Sequence, residues 1–130
     1  MRAYWRIGYV AKVALSGLDG VHGYDQLNRE VCQQQGELRV AGGCQRVFQH
    51  DGEMQLNDHA WQRALSIDTG HQANTVVWHP GKRPLLGVSW NEVMGFVCVE
   101  STSGGIHNQT LAPGEQAHLS LQARARLVGV

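Results

Sequence analysis

Short apolar runs with a period of two, each ended by turn-forming residues, constrain the fold of this chain most strongly. Successive side chains of a strand point to opposite faces, so this period is typical of β-structure, whereas a helix needs apolar residues every three or four positions. Glycine, asparagine, aspartate and proline separate the runs, as expected for the turns of a β-protein. We expect strands within 4–7, 10–16, 38–40, 44–50, 54–56, 63–68, 75–78, 96–100 and 117–128.

The predicted fold is all-β, an antiparallel β-sandwich. No internal repeat or linker interrupts the pattern, so we expect residues 1–130 to form one domain. The longest run, 117–128, predicts a strand with one face in water. Only 28–35 has a pattern that would allow a helical turn. In 117–128, the residues expected on the apolar face are Leu119, Leu121, Ala123, Ala125 and Leu127, and those on the wet face are Gln122, Arg124 and Arg126.

Charge and composition argue against several kinds of partner. The 11 basic and 11 acidic side chains cancel, and no basic cluster indicates binding to nucleic acid or an anionic membrane. Every apolar run is far shorter than the about 20 residues that span a bilayer. The N-terminus lacks the features of a signal peptide, so we expect a cytoplasmic protein. The 3 cysteines and 7 histidines lack zinc-type spacing, and we predict no metal site.

Glu100 directly follows the apolar residues 96–99 and precedes any turn residue. A buried carboxylate is costly unless it is paired or its pKa is shifted, so a function for this side chain is worth considering. Period-two alternation predicts Phe96, Cys98 and Glu100 on one sheet face and Val97 and Val99 on the other. A carboxylate that merely reaches solvent or pairs with an arginine is the structural alternative.

Five motifs follow one another along the chain: YWRIGYVAKVALSGLDG, NDHAWQR, NTVVWHPG, GFVCVES and LAPGEQAHL. With these motifs, the sequence resembles the hexose-6-phosphate mutarotases of the aldose 1-epimerase family, which adopt the galactose mutarotase-like fold. The resemblance follows the family's order over nearly the whole chain but covers only the C-terminal half of a typical member. It implies that the chain forms half of a large β-sandwich, and that strands which are interior in the family become edges.

The resemblance implies that Glu100 is the general base that removes the proton of the anomeric hydroxyl. The reaction also needs an acid that protonates the ring oxygen, and it needs no metal or organic cofactor. Arg2 stands where the family has the histidine acid, and a guanidinium is a poor proton donor at neutral pH. Gln45 stands where the family has an aspartate that holds sugar hydroxyls. An amide can still form hydrogen bonds there, but without charge assistance.

Further residues are candidates for substrate binding because of the chemistry of their side chains. Trp5 and Trp90 could stack on a pyranose, whereas we expect Trp61 and Trp78 to pack in the core. Arg46 could attract a phosphate. His107, in a glycine-rich loop after Glu100, is a possible substitute for the missing acid, as is His22. For each of these, ordinary packing or solvent exposure is the alternative.

The sequence leaves two main hypotheses for the function of the chain. One is a mutarotase-like carbohydrate-recognition domain that binds a hexose or hexose phosphate with catalysis impaired or lost. The alternative is an active hexose-6-phosphate 1-epimerase with Glu100 as base. We also expect a homodimer through exposed sheet edges, because unpaired edges invite pairing with another chain. A relic without activity is a third possibility.

Overall fold

Strands form in most of the predicted runs and also in 22–25 and 30–33, where none was predicted, and they assemble into two antiparallel sheets packed face to face. The computed structural model describes residues 3–71, 73–103, 110–116 and 118–128. The all-β sandwich expected from the sequence is confirmed. The strands are β1 (Tyr4–Arg6), β2 (Val13–Ser16), β3 (His22–Asp25), β4 (Glu30–Gln33), β5 (Cys44–Phe48), β6 (Glu53–Asp58), β7 (Arg63–Asp68), β8 (Asn74–His79), β9 (Phe96–Thr102) and β10 (Gln122–Leu127).

The larger sheet has six strands in the order β1-β9-β8-β5-β3-β4, and the smaller sheet has four in the order β10-β7-β6-β2. All pairs of neighbouring strands are antiparallel. Because β9 and β8 lie inside the larger sheet, their backbone groups are paired on both sides. Their positions are therefore fixed more firmly than those of an edge strand.

The core lies between the two sheets and is almost entirely aliphatic. Val77, Val97 and Val99 line it from the larger sheet, and Leu56 and Ile67 line it from the smaller one; all five side chains are fully buried. Burial of an aliphatic side chain of this size contributes about 1.5–3 kcal/mol to the free energy of unfolding. One face of each sheet is therefore fixed by packing.

Most predicted strands differ from the observed ones at one or both ends, and the runs 10–16 and 38–40 also differ in the kind of structure they form. The run 10–16 starts with a 3₁₀ turn, Val10–Lys12, and only Val13–Ser16 is a strand. In 38–40 the only strand-like contact is an isolated bridge between Leu38 and Leu15.

The helical turn expected in 28–35 is wrong, because Glu30–Gln33 forms strand β4 against β3. The short α-helix α1 (Trp90–Met94), which the sequence analysis did not predict, follows the N-cap Ser89. Within the described part of the chain, no helix has the length and apolar character needed to cross a membrane.

The prediction of a strand with one wet face in 117–128 is also wrong in part. Strand β10 forms, but all six of its side chains are exposed. Ala123, Ala125 and Leu127 do pair with the core-facing side of β7, yet no described residue covers them. β10 lies at the edge of its sheet, so the residues that cover its neighbours do not reach it.

Candidate functional site

The side of the six-stranded sheet that turns away from the core forms the candidate site, which we call the open face. The structure confirms that Phe96, Cys98 and Glu100 share this face, while Val97 and Val99 are buried in the core. Strand pairing and alternation bring side chains from five further strands to the same face. These are Tyr4, Arg6, Tyr24, Val31, Gln45, Val47, Val76 and Trp78.

Glu100 and Gln45 lie on either side of strand β8. Glu100 is half-buried and opposite Val76, while Gln45 is half-buried and opposite Trp78. The register places the Cα atoms of Gln45 and Glu100 about 12 Å apart, from two strand spacings and one two-residue step. A carboxylate and an amide thus lie on the same face, on either side of β8.

An aromatic cluster continues the open face beyond Trp78. The Phe96 ring is at its centre, 5.7 Å from the Tyr4 ring in an edge-on arrangement and 6.1 Å from the Trp78 ring. Ring pairs at these distances gain stabilisation beyond their buried area. Since Cys98 lies opposite both Tyr4 and Trp78, its side chain is fully buried beneath the larger rings.

A cavity of 830 Å³ opens beside this cluster. Tyr4, Trp78 and Phe96 line it from the sheet, and the chain segment 85–88 and helix α1 line it from the side. Its polar lining includes Arg6, Asn91 and Glu92. The cavity is thus mainly aromatic and apolar with a few polar groups, which is the composition of most small-molecule sites.

Helix α1 is held by its own cap and by a buried histidine. The Ser89 hydroxyl accepts a hydrogen bond from the Glu92 amide, and the Glu92 carboxylate accepts one from the Ser89 amide. His79 Nδ1 accepts from the Gly81 amide at 3.0 Å, so Nε2 carries the proton and donates to the Val93 carbonyl at 2.8 Å. Burial lowers the pKa of His79, although the Val93 bond opposes this shift.

Arg46 does not reach the open face, although it is next to Gln45 in the sequence. Its Nε donates to the Asp25 carboxylate at 3.4 Å, and its Nη1 donates to the Gln34 side chain at 3.2 Å. Burial would raise the pKa of Asp25, but hydrogen bonds from Asn28 and Leu27 and the Arg46 charge outweigh it and lower that pKa. The guanidinium of Arg46 is therefore engaged on the other side of the sheet.

Three of the four tryptophans lie elsewhere than expected, and a sugar-binding role of Trp90 stays a prediction. Trp5 packs against the core and donates from Nε1 to the Val99 carbonyl at 3.0 Å, so it does not face Glu100. Trp90 is exposed at the start of α1. Core packing is wrong for Trp61, which is 50% exposed beneath the Arg63 guanidinium. Trp78 is half-buried on the open face, where alternation with the buried Val77 would have placed it.

The remaining candidate site residues lie far from Glu100 or outside the described residues. Arg2 and His107 are outside the described residues. His22 is on the open face of β3, and its Cα is about 16 Å from that of Glu100 because three strand spacings intervene. In the described ranges, no three histidine, cysteine or acidic side chains come together in a group that could hold a metal ion.

Comparison with known proteins shows one similarity in sequence and one in structure. No protein-family model matches the chain. The "Putative glucose-6-phosphate 1-epimerase" of Escherichia coli (strain K12) is 30% identical over 132 residues, covering 95% of this chain and 44% of that protein. The crystal structure of HI1317 superposes with a TM-score of 0.80 at 17% identity, covering 97% of this chain and 45% of that one.

The chain thus spans less than half the length of both proteins that it matches. The structural similarity shows that the fold is shared. The sequence similarity is to a protein whose name describes a sugar-phosphate epimerase.

Proposed function

We propose that the open face binds a hexose or hexose phosphate and that the chain is a mutarotase-like carbohydrate-recognition domain with catalysis impaired or lost. The observation that carries this proposal is the position of Gln45, Trp78 and Glu100 on one sheet face, where Trp78 also lines the 830 Å³ cavity. The similarity to the E. coli protein, over 95% of this chain, supports a sugar as the ligand.

The chemistry of the face suits a pyranose. An aromatic ring packs against the apolar face of a sugar, and Trp78 and Phe96 present such rings. The Glu100 carboxylate accepts hydrogen bonds from hydroxyls, and the Gln45 amide both donates and accepts. A few polar groups placed around an aromatic surface fix the orientation of a ligand whose affinity comes largely from packing.

We expect impaired turnover because neither His22 nor Arg46 is placed to act as the acid that must work with Glu100. Anomer exchange needs a base on the anomeric hydroxyl and an acid at the ring oxygen, two groups that must act on one sugar ring within hydrogen-bonding reach. His22 is about 16 Å from Glu100 at Cα, too far to act on the same ring. Arg46, as a cation, is already paired with Asp25. Arg2 and His107 are retained as proposed ligands from the sequence alone.

The alternative is an active hexose-6-phosphate 1-epimerase. Glu100 would remove the proton of the anomeric hydroxyl, the bond between the anomeric carbon and the ring oxygen would break, and an acid would protonate that oxygen. Rotation and reclosure would then give the other anomer. The half-buried position of Glu100 within β9 favours this alternative, as does the name of the E. coli relative.

The rate of exchange between the anomers of glucose 6-phosphate, measured by NMR, distinguishes a domain without catalysis from an active epimerase. We expect exchange at the buffer rate for the wild type and for Glu100→Gln, while both bind the sugar. Acceleration by the wild type that Glu100→Gln abolishes would overturn the loss of catalysis and establish the alternative. Glu53→Gln, which changes an exposed carboxylate on the smaller sheet, is the matched control.

We further propose that residues 1–130 act as one cytoplasmic domain and that two copies pair through β10. The support for pairing is that β10 is an edge strand with Leu127 75% exposed. An exposed edge strand with uncovered apolar side chains favours association.

A further inference from the structure

We propose that His79 is a positioning residue that holds helix α1 as a wall of the 830 Å³ cavity, and that acidification releases this wall. His79 is the last residue of β8, its side chain is fully buried, and its Nε2 donates to the Val93 carbonyl of α1 at 2.8 Å. Asn91 and Glu92 of the same helix line the cavity. The release is a property of the wall and does not depend on which molecule the cavity binds.

Helix α1 depends on contacts with the sheet for its position. It has five residues, Trp90–Met94, and a helix of this length is not stable on its own in water. Val93 connects it to the rest of the molecule, because its side chain is 1% exposed and its carbonyl accepts the His79 bond. Loss of that bond leaves a buried carbonyl without its donor, which favours movement of the helix toward water.

The second bond of the ring fixes which nitrogen carries the proton. The Gly81 amide donates to His79 Nδ1 at 3.0 Å, and an amide N–H can only donate, so Nδ1 carries no proton. A proton added at Nδ1 would face this N–H. The turn cannot easily move away, since a Cβ at Gly81 would lie 2.7 Å from the Gly42 backbone. A protonated ring must therefore give up its present position.

No charged group around His79 compensates for a second proton in the described ranges. Cys44 is opposite His79 on β5, and burial raises the pKa of its thiol to about 12, so it is uncharged. The Phe96 ring, centred 5.6 Å away, has no charge. The Glu92 carboxylate accepts from the Ser89 amide at the start of α1, and Lys82 is exposed beyond the turn. Burial accordingly lowers the pKa of His79.

The direction of the pH dependence follows from this arrangement. The held wall requires the uncharged ring, whereas a released ring in water takes up a proton near the ordinary histidine pKa of 6.5. The wall is therefore held fully above pH 6.5. Below that pH, the ratio of released to held states rises about tenfold per pH unit, until the held ring itself takes up a proton.

Backbone amide hydrogen exchange, followed by NMR between about pH 7.5 and pH 5, tests the release directly. The exchange rate of an amide, divided by that of a free amide at the same pH, gives the fraction of released states. In the wild type we expect the Gly81 and Val93 amides to lose protection about tenfold per pH unit below pH 6.5. Val77 and Val99, in the centre of the larger sheet, should keep theirs.

Three variants separate the charge of the ring from its hydrogen bonds. His79→Gln keeps a donor for the Val93 carbonyl and does not titrate, so the protection of α1 should not change with pH. His79→Asn can accept from Gly81 but is too short to reach Val93, so the Val93 amide should be about tenfold less protected at every pH. His50→Gln changes a second histidine whose pKa burial lowers, beyond the other end of β5, and should behave as the wild type.

Four results would overturn the inference. These are constant protection of Gly81 and Val93 in the wild type, the same loss in His79→Gln, and unchanged Val93 protection in His79→Asn. The fourth is a parallel loss at Val77 and Val99, which would show acid unfolding of the whole sheet instead of release of one wall. None of these measurements contains a sugar, so the proposed function stands or fails separately.

Discussion

At the scale of single residues, Asp58 fixes the position of β1 and therefore of Tyr4 and Arg6. Its fully buried carboxylate accepts hydrogen bonds from the Gly8 amide at 3.0 Å, the Trp61 amide at 3.2 Å and the Arg63 guanidinium at 3.2 Å. Arg63 also donates to the Arg6 carbonyl. One buried acid thus connects the end of β1 to β6 and β7.

Replacement of this acid should be costly. Asp58→Asn removes the negative charge that pairs with Arg63. It also replaces one carboxylate oxygen by an NH₂ group, which donates and therefore cannot accept the hydrogen bonds of the surrounding donors. We expect a loss of about 2–4 kcal/mol in the free energy of unfolding. Urea denaturation measures it. Glu37→Gln, which changes an exposed acid in an ion pair of 3.9 Å, should cost less than about 1 kcal/mol. Equal losses in the two variants would contradict the role of Asp58.

At the scale of secondary-structure elements, the pairing that we propose through β10 can be followed residue by residue. Two copies of β10 paired antiparallel about Ala125 would place Ala123 opposite Leu127 on one face. On the other face, Arg124 would lie opposite Arg126. The apolar pairs favour association and the like charges oppose it. The expected dimer is therefore weak, and salt should strengthen it by screening the arginines.

Light scattering at micromolar concentration tests this pairing. We expect the average mass to rise toward that of a dimer as salt is added. Arg126→Glu should give a dimer at low salt because it faces Arg124 of the second copy, whereas Arg83→Glu, outside the strands, should leave the mass unchanged. A monomeric mass in all conditions would contradict pairing through β10.

At the scale of the whole molecule, the sequence predicts those features of the fold that depend only on local backbone geometry, such as the two faces of a strand. The two faces of β9 were predicted correctly because alternation is a property of the strand itself. The same alternation places Gln45 and Arg46 on opposite faces of β5 and places Trp78 on the open face. Both placements can therefore be read from the sequence. The capping box formed by Ser89 and Glu92 is likewise a readable start signal for α1.

Contacts between distant segments could not be predicted in this way. Residues 28–35 carry a weak helical pattern, but pairing with β3 makes them a strand, since strand formation depends on neighbours. The exposure of Trp61 and of Leu127 depends on which elements lie above them. The pairing of Arg46 with Asp25 depends on β3 and β5 being neighbours.

The central claim is that a hexose binds on the open face of the six-stranded sheet. The most direct measurement is backbone and indole amide NMR of the isotope-labelled protein during a titration with glucose 6-phosphate. We predict saturable shift changes that cluster at Gln45, Trp78 and Glu100 and extend to Arg6. Shift changes confined to the four-stranded sheet, or none up to sugar concentrations of about 50 mM, well above ordinary millimolar affinities, would contradict the claim.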